Sequence, residues 1–375
     1  MTSVFFLFRD SPERRRALAS APGSPERYLL FGLDQLRARG LGVCHNLGQE
    51  RPPAWARVLG GSLKWALERA GGYGGDFATV LASRRRASRA DVVFSTVDTV
   101  GIPALLLRRA GRLRPPLVYV AIGLPERLAR LRSDRMRRLY ASALARCEAV
   151  IVYSEHEAEV LREWVARHGA HARVEFVQFG VDVEGFRPGT EEPADDVVSV
   201  GADPHRDFAL LLRVARRMPE ASFRVVTTRQ HSRALPARPA NVTVETDLSF
   251  GEMRTRLAGA RVVALPVREN SYSGATTVLL QALALAKPVV VTRTQAIARG
   301  YGLVDGGNCR LVVPGDEEGF ARAIADLLRF AEPAQRLGAA ARAHVERDLT
   351  WGRYVERLEE LLLASRELHL PLARG

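Results

Sequence analysis

Leu265-Pro-Val-Arg-Glu-Asn-Ser-Tyr-Ser-Gly-Ala-Thr-Thr-Val-Leu-Leu-Gln-Ala-Leu-Ala-Leu-Ala-Lys-Pro-Val-Val-Val-Thr292 reads as a strand, a polar loop with glycine, a helix and a second strand led by proline. A loop carrying Ser273, Gly274, Thr276 and Thr277 into a helix sets unpaired backbone N–H groups and hydroxyls at the positive end of the helix dipole. An anion such as a diphosphate is favoured there. Gln281 lies one turn beyond Thr277 on the same face and suits neutral hydroxyls such as those of a ribose. Plain capping of a helix by Gly and Thr is the structural alternative for the loop taken alone.

Working outward, strand-length apolar runs alternate with helix-length segments in both directions. Val4–Phe8, Asp91–Ser95, Pro116–Ala121, Ala149–Tyr153 and Arg173–Val177 form one set. Val197–Val200, Ser222–Val226, Val242–Thr246, Arg261–Pro266, Val289–Thr292 and Leu311–Val313 form a second. The alternation predicts two doubly wound α/β sheets of parallel strands, with ligands at the carboxyl ends of the strands. A length of 375 residues suits two domains of ordinary size. Pro188-Gly-Thr-Glu-Glu-Pro193 is the expected junction, and Thr350–Glu367 an amphipathic last helix with Trp351, Tyr354, Leu358, Leu361 and Leu362 at helical spacing.

Three further segments carry a resemblance. Phe179-Gly-Val-Asp-Val-Glu-Gly-Phe-Arg-Pro188, Val197-Val-Ser-Val-Gly-Ala-Asp-Pro-His-Arg-Asp-Phe208 and Gly300-Tyr-Gly-Leu-Val-Asp-Gly-Gly-Asn-Cys-Arg-Leu-Val-Val-Pro-Gly-Asp316 stand in the order seen in retaining glycosyltransferases of family 4. The chain is similar to that family from about residue 179 to 330 and again at Leu349-Thr-Trp351. The resemblance implies a GT-B fold: two Rossmann-like domains facing across a cleft, with the C-terminal helix returning to the first. Residues 1–187 would hold the acceptor and 188–349 the nucleotide-sugar donor, the helix of about 350–367 packing back.

The implied reaction moves a sugar from a nucleoside diphosphate sugar to a hydroxyl, with retention, no metal and no cofactor; the nucleotide sugar is a substrate. The acceptor class spans a glycan, a lipid-linked sugar or a small molecule. Without a metal, a guanidinium, a helix dipole and hydroxyls must stabilise the departing diphosphate. Arg206 stands where the family has a phosphate-binding lysine, with Gly201 at the turn; a surface arginine paired with Asp203 or Asp207 is the alternative. Donor binding falls on Gly201, Arg206, Ser273, Gly274, Thr276, Thr277 and Gln281.

Departures from the family pattern are specific. Its two glutamates fall on Ser273 and Gln281, and its phosphate-binding arginine on Ala202. Glu269 is the nearest carboxylate that could reach the sugar, with a solvated loop glutamate as the plainer reading. On the acceptor side, Ile122 takes the position of a sugar-contacting histidine, and Asp98 follows a strand on the expected cleft side, where capping would explain it equally. The loss of acids leaves open a second class of function: a catalytically degenerate GT-B protein serving as a non-catalytic partner or anion-binding module.

Charge is uneven. Residues 1–187 hold 30 basic against 19 acidic side chains, net +11, and the rest 25 against 23, net +2, together the +13 of the chain. Clusters at Arg14-Arg15-Arg16, Arg84-Arg85-Arg86 and Arg127 to Arg138 would attract an anionic partner, or simply form a solvated basic face. Nucleic acid is not the expected partner, because no recognised module or aromatic-interleaved basic stripe is present. Arg127 to Arg146, with Leu128, Leu131, Met136, Leu139 and Leu144, suits peripheral contact with an anionic membrane; a helix packed on a sheet with its arginines outward is the more economical reading.

Cys44, Cys147 and Cys309 are odd in number and far apart, which indicates neither a disulfide framework nor a zinc site. The expected location is the cytoplasm, at most peripheral to the inner membrane face. Ser154-Glu-His-Glu157 predicts a capping box with His156 exposed, and Gly71-Gly-Tyr-Gly-Gly-Asp76 a flexible loop on the acceptor side.

Overall fold

The computed structural model describes residues 1–48, 51–189, 193–272 and 274–368. The chain divides into two compact units, Met1–Val177 with Val355–Gly375, and Gln178–Tyr354. Each is built on one six-stranded parallel sheet.

In the first unit the strands are β1 (Ser3–Leu7), β2 (Gly42–His45), β3 (Val92–Ser95), β4 (Leu117–Val120), β5 (Ala149–Val152) and β6 (Val174–Phe176), in the order β2-β1-β3-β4-β5-β6. β1, β3, β4 and β5 are short runs of Val, Phe, Leu and Ile, buried almost throughout as parallel strands covered on both faces must be. β2 escapes the apolar-run reading because it is an edge strand with a half-exposed sequence, Gly-Val-Cys-His. The direction of winding reverses between β1 and β3, which places the loop after β3 at a switch point.

In the second unit β7 (Asp195–Val200), β8 (Phe223–Thr227), β9 (Val242–Thr246), β10 (Ala260–Leu265), β11 (Val289–Thr292) and β12 (Arg310–Val312) run in the order β12-β11-β10-β7-β8-β9. Here the reversal falls between β7 and β10. The crevice at their carboxyl ends is therefore formed by the loops after Val200 and after Leu265.

The first boundary lies at Gln178, not at the Pro188 segment. Phe179 packs against Trp351 and Tyr354 with ring centroids 5.5 and 5.3 Å apart, Phe186 meets Phe250 at 5.7 Å, and Val181 pairs with Thr350. Arg342 Nη1 donates to the carbonyls of Val183, Phe186 and Ala284, tying the segment to the second unit. The 179–188 run is thus architecture. The Gly300–Asp316 run is similar in kind: Asn308 closes its own turn through Val304 N and Gly302 O, at 2.9 Å each, and Asp316 caps the Glu317–Arg329 helix.

The last helix, Trp351–Glu367, starts in the second unit and from Val355 belongs to the first. Val355, Leu358, Leu361 and Leu362 are buried, and Arg39 bonds Glu356 and Glu359 at 3.0 and 2.9 Å. The Arg127 to Arg146 segment holds two helices, Leu124–Ala129 and Asp134–Leu144, and Leu128, Met136 and Leu144 on them, with Leu131 between them, lie in the core of the first unit. Those apolar residues are taken up by packing within that core, with the Asp134–Leu144 helix against the Asp98–Arg109 and Glu155–Arg167 helices. Among the described residues no helix is long and apolar enough to cross a membrane, and all three cysteines are free.

Candidate functional site

Gly201 follows β7, and the loop beyond it folds back on the loop after β10. Asp207 N donates to Pro266 O at 2.9 Å, Arg268 N donates to His205 O at 2.8 Å, and Arg206 bridges Val267. This pairing turns the Arg206 side chain inward, where it is 5% exposed. A Cβ at Gly201 would lie 2.9 Å from Arg206 Cζ, so only glycine leaves room for the guanidinium. Arg206 Nε and Nη1 are buried and have no hydrogen-bond partner. Burial pushes its pKa down to about 10, with Asp203 nearby pulling the other way.

The reading of Arg206 as a surface arginine paired with Asp203 or Asp207 is excluded. Asp207 caps the Phe208–Arg217 helix through Leu210 N at 3.0 Å. Asp203 accepts from Tyr272 Oη at 2.6 Å and from His205 N at 2.8 Å. Its carboxylate lies against Gly274, within 2.7 Å of where a Cβ would stand. Asp203 and Tyr272 thus join the two loops of the crevice.

Gly274 leads into the Thr276–Ala284 helix, whose N-cap, Ala275, offers no side-chain oxygen. Among the described residues the first N–H groups of this helix have no side-chain cap, the condition under which a helix start receives an anion. Capping therefore does not account for the loop. Thr276 and Gln281 are each 3% exposed, and Thr276 Oγ1 and Gln281 Oε1 have no partner. Thr277 is half-buried on the first turn. Ser273 lies outside the described residues.

Glu269, on the loop after Leu265, is engaged with the next loop of the sheet. It is exposed, and its Oε1 accepts from Gln295 N at 3.0 Å, holding the start of the short Gln295–Ala298 helix. The carboxylate beside Gly274 is Asp203, whose separation from it in sequence hides the contact.

In the first unit, Asp98 and Ile122 come together. Asp98 is 3% exposed and is the first residue of the Asp98–Arg109 helix, with Val97 at the cap, so it does not cap that helix. Its carboxylate accepts from Tyr119 Oη, from Ile122 N at 3.3 Å and from Arg127 Nε at 3.0 Å. Burial nevertheless raises its pKa, against the pull of Tyr119 and Arg127. Ile122 is 38% exposed at the turn this network supports.

Glu157 completes the cluster and corrects the capping-box expectation. Ser154 Oγ does accept from Glu157 N, but the Glu157 carboxylate reaches Gly123 N and Leu124 N at 2.7 and 3.2 Å instead of returning to Ser154. Burial, and then the charge of Asp98, raise the Glu157 pKa well above its ordinary value. His156 is half-buried rather than exposed. The glycine loop before Phe77 is pinned: Tyr140 Oη bonds both N and O of Tyr73, and Asp76 caps the next helix. Arg14 leaves its surface cluster to stack over Phe8 and Phe31. Among the described residues no group of three or more His, Cys, Asp or Glu is arranged to hold a metal ion.

Comparison with known proteins agrees with this anatomy. Residues 33–185 match the model described as Glycosyltransferase Family 4, and residues 195–329 the model described as Glycosyl transferases group 1. A GDP-mannose-dependent monoacylated alpha-(1-6)-phosphatidylinositol monomannoside mannosyltransferase of Corynebacterium glutamicum is 25% identical over 54% of this chain and 59% of its own length. A D-inositol 3-phosphate glycosyltransferase of Mycobacterium avium is 29% identical over 58% of this chain and 54% of its own length. The match thus spans less than two thirds of either relative. Among solved structures, a sucrose-phosphate synthase from Thermosynechococcus elongatus has a TM-score of 0.71 at 15% identity, over 97% of this chain and 99% of that one. Anabaena HepE in complex with UDP-glucose has a TM-score of 0.65 at 16% identity, over 97% and 100%. At these identities the likeness is one of fold.

Proposed function

We propose that this chain, which belongs to the family 4 glycosyltransferases of GT-B fold, transfers a sugar from a nucleoside diphosphate sugar to a hydroxyl acceptor with retention and without a metal ion. The observation that carries the reading is the buried, unpartnered guanidinium of Arg206 at the β7/β10 switch point. Leaving such a cation unpaired costs several kcal/mol in order of magnitude, and a bound diphosphate would recover it. The uncapped start of the Thr276–Ala284 helix and the free Thr276 hydroxyl supply further donors for the same anion.

In the proposed step the acceptor oxygen approaches the anomeric carbon on the face from which the diphosphate leaves. The bond from that carbon to the phosphate oxygen breaks, its electron pair staying on the diphosphate, and a new glycosidic bond forms. The acceptor proton passes to the departing phosphate oxygen, so no protein base is required. Arg206 and the helix start stabilise the charge that develops on the diphosphate. Gln281 Oε1, buried and free, accepts from a ribose hydroxyl.

A thermal-shift series with nucleoside diphosphates and their sugars tests this. Ligand at 100 times its dissociation constant adds about 2.7 kcal/mol of stability, and that gain is expected to vanish in Arg206→Ala. No shift with any nucleotide would sink the reading. Nucleotide binding without transfer to any hydroxyl acceptor would leave an anion-binding relative of the family.

A further inference from the structure

Arg127, on the Leu124–Ala129 helix that follows β4, is held from two sides. Its Nε donates to Asp98 Oδ2 at 3.0 Å, and its Cζ lies 4.3 Å from the centroid of the Tyr73 ring, a residue itself pinned by Tyr140. Among the described residues Arg127 Nη1 and Nη2 have no hydrogen-bond partner, and the side chain is 35% exposed. Structural arginines of the same unit are used differently. Arg108 commits Nε to Arg146 O, Nη1 to Arg114 O and Nη2 to Glu148, and is 11% exposed. Arg27 binds Asp34 through Nε and Nη2 and three backbone carbonyls through Nη1. Arg127 is fixed at one edge and one face and leaves its outer end open.

Its helix starts at the carboxyl end of β4, on the side of the sheet where a doubly wound fold takes its ligand. Asp98 begins the helix that follows β3, beside the β1/β3 switch point. Its carboxylate is already engaged by Tyr119 Oη and Ile122 N, so it anchors Arg127 without offering an open charge to repel an anion. The loop and helix after β1 add charge of the same sign as Arg127. Asp10 there is taken by Arg15, while Arg9 is exposed and the buried Nε of Arg14 has no partner. Ile122, whose N meets the other oxygen of the Asp98 carboxylate, adds an exposed apolar surface. Two free amino groups on a preset guanidinium match two oxygens of a carboxylate or phosphate, end-on. Fixing the side chain before the ligand arrives also removes the ordering cost that a mobile arginine carries on binding.

We infer that the acceptor of the transfer carries an oxyanion, phosphate or carboxylate, which binds Nη1 and Nη2 of Arg127 with its carbon skeleton against Ile122. Tyr73 and Asp98 are positioning residues: one stacks on the face of the guanidinium and the other fixes its edge. The role of acceptor rests on the proposed transfer, whereas the anion site rests on Arg127 and its two supports. The acceptor is thereby narrowed from any hydroxyl compound to one that also bears a negative charge.

The test uses the whole chain carrying Arg206→Ala, so that an anion effect is read apart from the donor-side guanidinium. Thermal shifts are recorded with glycerol, glycerol 3-phosphate and glycerate at constant ionic strength. At least one of the two anions is expected to raise the melting temperature where glycerol does not, and which one does so assigns phosphate or carboxylate. Adding Arg127→Gln should weaken that binding about 10- to 100-fold, the range for lost charge-assisted hydrogen bonds, and Arg127→Lys should recover part of it. Tyr73→Leu keeps the backbone bonds to Tyr140 and should weaken binding about fivefold. A merely structural Arg127 would lower the melting temperature without changing the difference between glycerol and its anions, and that result overturns the inference. So does the absence of a shift with either anion, or a shift that survives both Arg127→Gln and Tyr73→Leu. A wild type that binds no nucleotide would overturn the transfer reading and the role of acceptor with it; the anion shift in Arg206→Ala is read independently of that result.

Discussion

Arg206 holds a charge in surroundings that satisfy little of it. With a pKa pushed down to about 10 it remains protonated at neutral pH, while the unfolded chain solvates the same charge fully. The folded state is thus penalised at every pH below that value, and the penalty fades only as pH rises through it. Arg206→Met keeps the volume and removes the charge. It is expected to stabilise the ligand-free protein by roughly 1 to 3 kcal/mol, seen as a rise of about 2 to 4 °C per kcal/mol in the melting temperature. The same variant should gain nothing from nucleoside diphosphates. A variant that is more stable yet blind to nucleotide would separate the two roles cleanly. A fall in stability would mean that Arg206 is paired in solution.

At the scale of elements, Glu157 on the Glu155–Arg167 helix closes the amino end of another helix, Leu124–Ala129. Its folded pKa lies well above the ordinary value of 4.5, so the native state holds the proton more tightly. The sign follows: stability is fullest below the unfolded pKa and is lost as pH climbs from about 4.5 through the raised folded value. Glu157→Gln preserves the acceptor for Gly123 N and Leu124 N and should flatten that part of the profile, as denaturant titrations between mildly acidic and neutral pH would record. This tie also marks the reach of sequence reading. Ser154 and Glu157 satisfy a local cap pattern, but the carboxylate goes to a partner 34 residues away, which no local spacing can reveal. The buried strands were legible as apolar runs, whereas β2 was not, because an edge strand needs no such run. The loop-then-helix form of the segment from Gly274 to Ala284 was legible through its glycine and threonines. The Asp203–Tyr272 contact was hidden, since two loops must first be brought together by the β7/β10 reversal.

At the scale of the whole molecule, the Met1–Val177 unit includes a piece of chain that follows the second unit in sequence. Leu358 on that piece is fully buried. Leu358→Ala should cost about 2 to 5 kcal/mol, and calorimetry is expected to show the loss in one of two transitions, leaving the one that nucleotide raises in place. An equal shift of both would mean that the units unfold together. The continuous Trp351–Glu367 helix has a further consequence during translation. Domains of a growing polypeptide ordinarily fold in the order in which they leave the ribosome. Here residues 178–354 emerge complete while the earlier unit still lacks Val355, Leu358, Leu361 and Leu362. The half of the protein that is synthesised first is the half that finishes folding last: Gly32, which meets Val355, and Arg39, which pairs with Glu356 and Glu359, stay uncovered in the cell until that helix arrives.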